Sequence, residues 1–130
     1  MKFEIIVPLH PPSTNKIWQK KKGGGFFKHP EYQAWENCVT AHIWRKGELG
    51  HWRTFKGRPY KLLIEVFAQT WLTSKGTIKR PDVTNFVKSA EDSICRVFGW
   101  DDAFCVECLV RKVPKPDCEA DHTRIVFEFL

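Results

Sequence analysis

Lys79-Arg-Pro-Asp-Val-Thr-Asn-Phe-Val-Lys-Ser-Ala-Glu-Asp-Ser-Ile-Cys-Arg-Val-Phe-Gly-Trp-Asp-Asp102 is the most informative segment of this chain for both architecture and chemistry. At about 100° per residue on a helix, Phe86, Val87, Ala90, Ile94, Val97 and Phe98 share one arc, and Thr84, Asn85, Lys88, Glu91 and Asp92 the opposite one. An apolar arc of this width is what a helix buries against a core. The spacing predicts a helix over about 84–98, with Thr84 as N-cap through its hydroxyl and Gly99 closing the C-terminus. The other arc carries an amide, an ammonium and two carboxylates within two turns. Asp82 stands just before this helix and Asp101-Asp102 just after it. A helix of that length holds its ends roughly 20 Å apart, so these carboxylates meet only if the chain folds back.

On the N-terminal side, residues 2–8 read as a first strand closed by Pro8. Residues 9–29 read as an extended loop containing Pro11-Pro12-Ser13, the run Lys20, Lys21, Lys22 and then Gly23-Gly24-Gly25. A lysine run beside permissive glycines suits a phosphate backbone; it equally suits a solvated loop. Residues 30–46 read as a helix with Pro30 in its first turn and with Tyr32, Trp35, Val39, Ile43 and Trp44 near helical spacing. In 47–59, the residues His51, Trp52, Arg53, Phe55, Lys56 and Arg58 interleave basic and aromatic groups, as a base-stacking surface or a loop packed on the core would. Residues 60–68, 104–113 and 122–130 read as strands; 69–81 is a loop, and a turn from Pro114 to Cys118 joins the last two strands. Without repeat or linker, residues 1–130 form a single domain. The order β-α-β-α-β-β predicts an α+β fold with a mixed four-stranded sheet and two main helices.

Charge is unevenly spread. Residues 1–80 hold 15 Lys and Arg against 5 acids, whereas residues 81–130 hold 6 against 10, and all six Asp lie at or after position 82. A basic body suits a polyanion, and an acidic cluster within it suits a cation. No stretch approaches the roughly 20 apolar residues that cross a bilayer, and the N-terminus lacks a signal-peptide pattern; the expectation is a soluble, cytoplasmic protein. Five cysteines, an odd count, are expected as reduced thiols. Cys105 and Cys108 have a spacing known from zinc sites, but strand alternation points them apart and no second close pair completes a structural site. They read as small buried hydrophobes.

Hydrolysing a phosphodiester calls for a source of hydroxide and for positive charge against the phosphate. Magnesium on a few carboxylates supplies both, and a lysine adds a point charge. Asp82, Asp101, Asp102 and Lys88 are the residue types this chemistry needs. Adjacent aspartates also occur in ordinary turns, and Asp92 can simply pair with Lys88 one turn earlier.

Arg80, Asp82, Thr84-Asn85, Lys88, Asp92 and Asp101-Asp102, with Pro11-Pro12-Ser13-Thr14-Asn15 near the N-terminus and Phe27-Lys28-His29-Pro30-Glu31-Tyr32 at the entry to the first helix, resemble the RusA-type Holliday junction resolvases, common in phages and prophages. The resemblance covers nearly the whole chain. It implies a homodimer with a magnesium-dependent site (manganese as substitute) in each subunit, making paired nicks across four-way DNA junctions in recombination and repair. On it, Asp82, Asp101 and Asp102 hold the metal, Asp82, Lys88 and Asp102 are catalytic, and Lys20, Lys21, Lys22, Lys79, Arg80 and Asn85 contact DNA. One position departs: Thr84 stands where the family carries an aspartate, and threonine is a poor magnesium ligand. Either activity is lost or another carboxylate substitutes, and Glu91, two turns along the same arc, is the candidate. The rival readings are a catalytically inactive junction-binding protein and a nuclease of broader flap or single-strand specificity.

Overall fold

The computed structural model describes residues 1–68, 71–79, 82–115 and 120–130. Strands β1 (Lys2–Val7), β4 (Tyr60–Ala68), β5 (Cys105–Pro114) and β6 (His122–Phe129) form one sheet in the order β1-β6-β4-β5. Between β1 and β4 come a small hairpin, β2 (Trp18–Lys20) and β3 (Phe26–Lys28), helix α1 (Pro30–Lys46) and the short α2 (Leu49–Arg53). Helix α3 (Val87–Phe98) is the crossover between β4 and β5, which pair in parallel; the other pairs are antiparallel. The α+β architecture with a mixed four-stranded sheet and two main helices is the one read from the sequence.

Strand alternation divides the sheet into two unlike faces. The inner face presents Phe3, Ile5 and Val7 of β1, Tyr60, Leu62, Ile64 and Val66 of β4, and Ile125, Phe127 and Phe129 of β6, all buried. Helix α1 covers it with Tyr32, Trp35, Val39 and Ile43, and α3 with Ala90, Ile94 and Phe98. Burying each large apolar side chain contributes about 1.5–3 kcal/mol. Small residues let the helices approach: the Trp35 indole donates to the Ser89 carbonyl at 3.1 Å and to Ser93 Oγ at 3.0 Å. The outer face is charged but self-neutralising. Arg124 bridges Glu4 at 2.7 Å and Glu65 at 2.8 Å, Arg111 meets Glu65 at 2.9 Å, and Lys61 meets Glu107 at 3.4 Å.

Several local expectations change. Residues 9–29 are not one extended loop: they hold a 3-10 turn (Thr14–Lys16) and the β2–β3 hairpin, whose connection runs from Lys21 to Gly25. Trp44 is exposed, because it lies off the stripe that meets the sheet. The 84–98 helix begins as a 3-10 turn (Val83–Phe86) and is α-helical from Val87. Thr84 lies inside that turn and cannot cap it, since the extended backbone a cap needs is held by Asp82 (φ −62°, ψ 149°). Trp52 and Phe55 enter the core. Cys108 is exposed and Cys105 half-buried, because β5 is an edge strand. Arg80 and Cys118 lie outside the described residues.

Candidate active site

The polar flank of α3 organises the site. Lys88 Nζ lies 3.0 Å from Asp92 Oδ2, one turn on. After α3, Gly99 adopts the left-handed conformation (φ 72°) that stops the helix. Asp101 then accepts a hydrogen bond from the Ala103 amide at 2.9 Å, capping the turn Asp102–Phe104. From this turn β5 runs back past α3 and packs against the Val83–Phe86 turn that Asp82 precedes. This contact is made by β5 itself: Asp82 does not line the cleft that Asp101 and Asp102 share with Asp92, so the described structure does not join the two ends of the helix through their carboxylates. Lys88 is held above its ordinary range, chiefly by Asp92 and further by Asp102 and Glu91. An aspartate from beyond the helix C-terminus thus acts on a lysine in its first turn.

Glu91 departs from its place on the helical wheel. It is buried, because β4 and the start of β5 cover that flank of α3. The Tyr60 hydroxyl, at the start of β4, donates to Glu91 Oε2 at 2.5 Å. Burial pushes the Glu91 carboxyl up, the Tyr60 hydrogen bond pulls it down, and Asp102 and Asp92 push it up again. Burial also raises the neighbouring thiols, Cys95 to about 12 and Cys105 to about 11, so both stay protonated near neutrality.

The N-terminal motif arrives at the same helix from the far end of the chain. Ser89 Oγ donates to the Pro12 carbonyl at 2.6 Å, and Thr14 Oγ1 to the Asn85 carbonyl at 3.4 Å. Asp82 is exposed, and its carbonyl accepts from the Asn85 amide at 2.9 Å. Lys79 is exposed, with its carbonyl bonded by Lys112. Lys20, Lys21 and Lys22 lie exposed at the hairpin's end.

Lys56, Asp92, Arg96, Asp101 and Asp102 share the walls of an open cleft of about 470 Å³. A larger cleft of about 560 Å³ is lined by His10, Pro11, Pro12, Trp71 and Phe86, with Lys16 and Glu31 paired at 3.0 Å and His10 held 3.3 Å from Asp121. Of the two, it is the first that gathers aspartates, Asp92, Asp101 and Asp102. Tyr60 and Arg96 were not legible as site residues: their places here come from long-range packing, not from any motif.

Among the described residues no three of His, Cys, Asp and Glu stand together as a ready-made metal cluster. The donors nevertheless fit magnesium in kind. Asp82, Asp101 and Asp102 are exposed and offer hard oxygens, and magnesium keeps several waters, needing one or two carboxylates together with a substrate phosphate rather than a closed protein cage. The family model for Endodeoxyribonuclease RusA matches residues 8–125. No curated protein matches the chain.

Proposed function

This chain belongs to the RusA endodeoxyribonuclease family, and on that basis we propose that it is a magnesium-dependent enzyme that resolves four-way DNA junctions by paired nicks. The observation that supports it is the open cleft in which Asp101 and Asp102, just past α3, share walls with Asp92, the partner of Lys88 at 3.0 Å.

In this reading Asp82, Asp101 and Asp102 hold the ion, with manganese able to replace magnesium. When bound, the ion supplies positive charge against the phosphoryl oxygens and eases generation of the attacking hydroxide. Lys88 adds a point charge toward the scissile phosphate; Asp92 keeps its ammonium protonated and oriented. Glu91 takes the part of the carboxylate missing at Thr84, held in place by the Tyr60 hydroxyl at 2.5 Å. Lys79, Arg80, Asn85 and Lys20–Lys22 contact the DNA backbone. Two such sites in a two-fold homodimer give two cuts in symmetric relation, which resolving a junction requires.

The test is a labelled synthetic four-way junction incubated with the protein in magnesium and in chelator. Paired nicks only in magnesium support the proposal. Thr84 favours one other reading, a junction-binding protein that has lost catalysis; tight binding without nicks in either condition selects it.

A further inference from the structure

The β2–β3 hairpin carries large aromatic side chains that the core does not use. Trp18 is 52% exposed and Phe26 67%. Trp18 pairs with Lys28 and Lys20 with Phe26 across the two strands. Directly opposed residues point to the same side, so Trp18, Lys20, Phe26 and Lys28 share one face of the hairpin. Among the described residues, Trp18 and Phe26 line an open apolar cleft of about 340 Å³.

The hairpin is anchored at its base and charged at its tip. Ile17, just before β2, is buried, and its carbonyl accepts from the His29 amide at 2.9 Å, closing the two strands. Lys28 Nζ meets Glu36 of α1 at 2.6 Å. Beyond the aromatic pair come Lys20, Lys21 and Lys22, all exposed, and the Lys21 amide donates to the Gly25 carbonyl at 2.9 Å. The connection uses Gly23, Gly24 and Gly25 with φ of 90°, 112° and 78°, values that side-chain-bearing residues rarely adopt.

An exposed aromatic cleft next to three lysines matches a ligand that has both flat π faces and phosphates. We infer that β2–β3 is a base-stacking arm: Trp18 and Phe26 take up an unpaired base of branched DNA while Lys20–Lys22 hold the adjoining phosphates. Aromatic stacking of this kind is tolerant of base identity and needs a base drawn out of its pair, which costs less at a branch point, where the helical stack is interrupted, than inside intact duplex. The inference rests on the branched-DNA reading above.

The experiment measures binding in chelator, with a four-way junction carrying 2-aminopurine at the crossover and with fully paired duplex of the same length. Wild type should bind the junction more tightly and change the 2-aminopurine fluorescence. Trp18→Ala should weaken junction binding about tenfold, abolish the fluorescence change, and leave duplex affinity and thermal stability unaltered. Trp18→Phe should retain most of the affinity. Equal losses on junction and duplex, or a changed oligomeric state in Trp18→Ala by light scattering, would overturn the arm. If wild type prefers the junction and Trp18→Ala behaves identically, the arm alone is wrong; if wild type shows no preference for the junction, the branched-DNA reading falls and takes the arm with it.

Discussion

Two stretches of this chain interleave basic and aromatic residues, Trp18–Lys28 and His51–Arg58, and the fold sends them in opposite directions. In the second, Trp52 packs edge-on against Phe3 at 5.3 Å, and its carbonyl accepts from the Trp100 indole at 2.9 Å. Phe55 packs on Phe129 at 4.8 Å, and the Arg58 guanidinium lies 4.5 Å from the Phe55 ring centre. The basic groups there stay outside while the rings serve the core. In the first, the rings stay outside with the lysines. The kinds of residue are alike in both; what differs is whether the short local structure offers the rings an apolar surface. Helix α2 turns Trp52 toward β1 and β6, whereas a hairpin of two three-residue strands has no second layer to bury Trp18 or Phe26.

That difference gives the largest expected contrast. Trp52→Ala should cost about 3–5 kcal/mol of stability in chemical denaturation, while Trp18→Ala should move stability by no more than about 0.5 kcal/mol. Equal stability losses would mean that the hairpin is a packed element after all.

A similar divergence occurs in miniature on α3, where Glu91 is buried and its neighbour Asp92 half-exposed. Glu91→Gln should lower single-turnover cleavage as severely as Asp82→Asn, and Thr84→Asp should restore part of it, because it returns a carboxylate to the family position. Thr84→Asp alone should add little. A Glu91→Gln variant that cleaves like wild type would reduce Glu91 to a structural partner of Tyr60.

The smallest effect is expected at the hairpin tip. Each cationic side chain withdrawn from a phosphate lowers the slope of log affinity against log salt by about 0.7–0.9. Lys21→Ala should therefore flatten the salt dependence by roughly one such step without removing the preference for junctions. An unchanged slope would detach the lysine run from the DNA surface.

Much of the architecture was written in local periodicity. Tyr32, Trp35, Val39 and Ile43 mark α1 by spacing alone, and β4 and β6 are continuous β-prone runs. The hairpin was illegible because two three-residue strands around three glycines leave no alternation to detect. Asp82, Lys88 and Asp102 stand out in the sequence through their spacing and family pattern; the fold puts Asp102 in the cleft with Asp92, to which Lys88 is paired, while Asp82 does not line it. The burial of Glu91 did not, because a helical wheel describes one element and the covering Tyr60 comes from a strand 31 residues earlier. The same limit hid the cleft walls at Lys56 and Arg96, which only tertiary packing brings to Asp102.

The proposed activity depends above all on Asp102 belonging to a metal-dependent phosphodiester-cleaving site. Asp102→Asn removes a carboxylate donor and also a negative charge that opposes the DNA phosphates. The decisive measurement is single-turnover cleavage of a labelled four-way junction by this variant and by wild type in matched magnesium, with junction affinity measured in parallel. Wild type should give paired nicks and Asp102→Asn none, while the variant binds the junction as tightly as wild type or more so. Cleavage by Asp102→Asn at the wild-type rate would refute the assignment of Asp102 to the metal site.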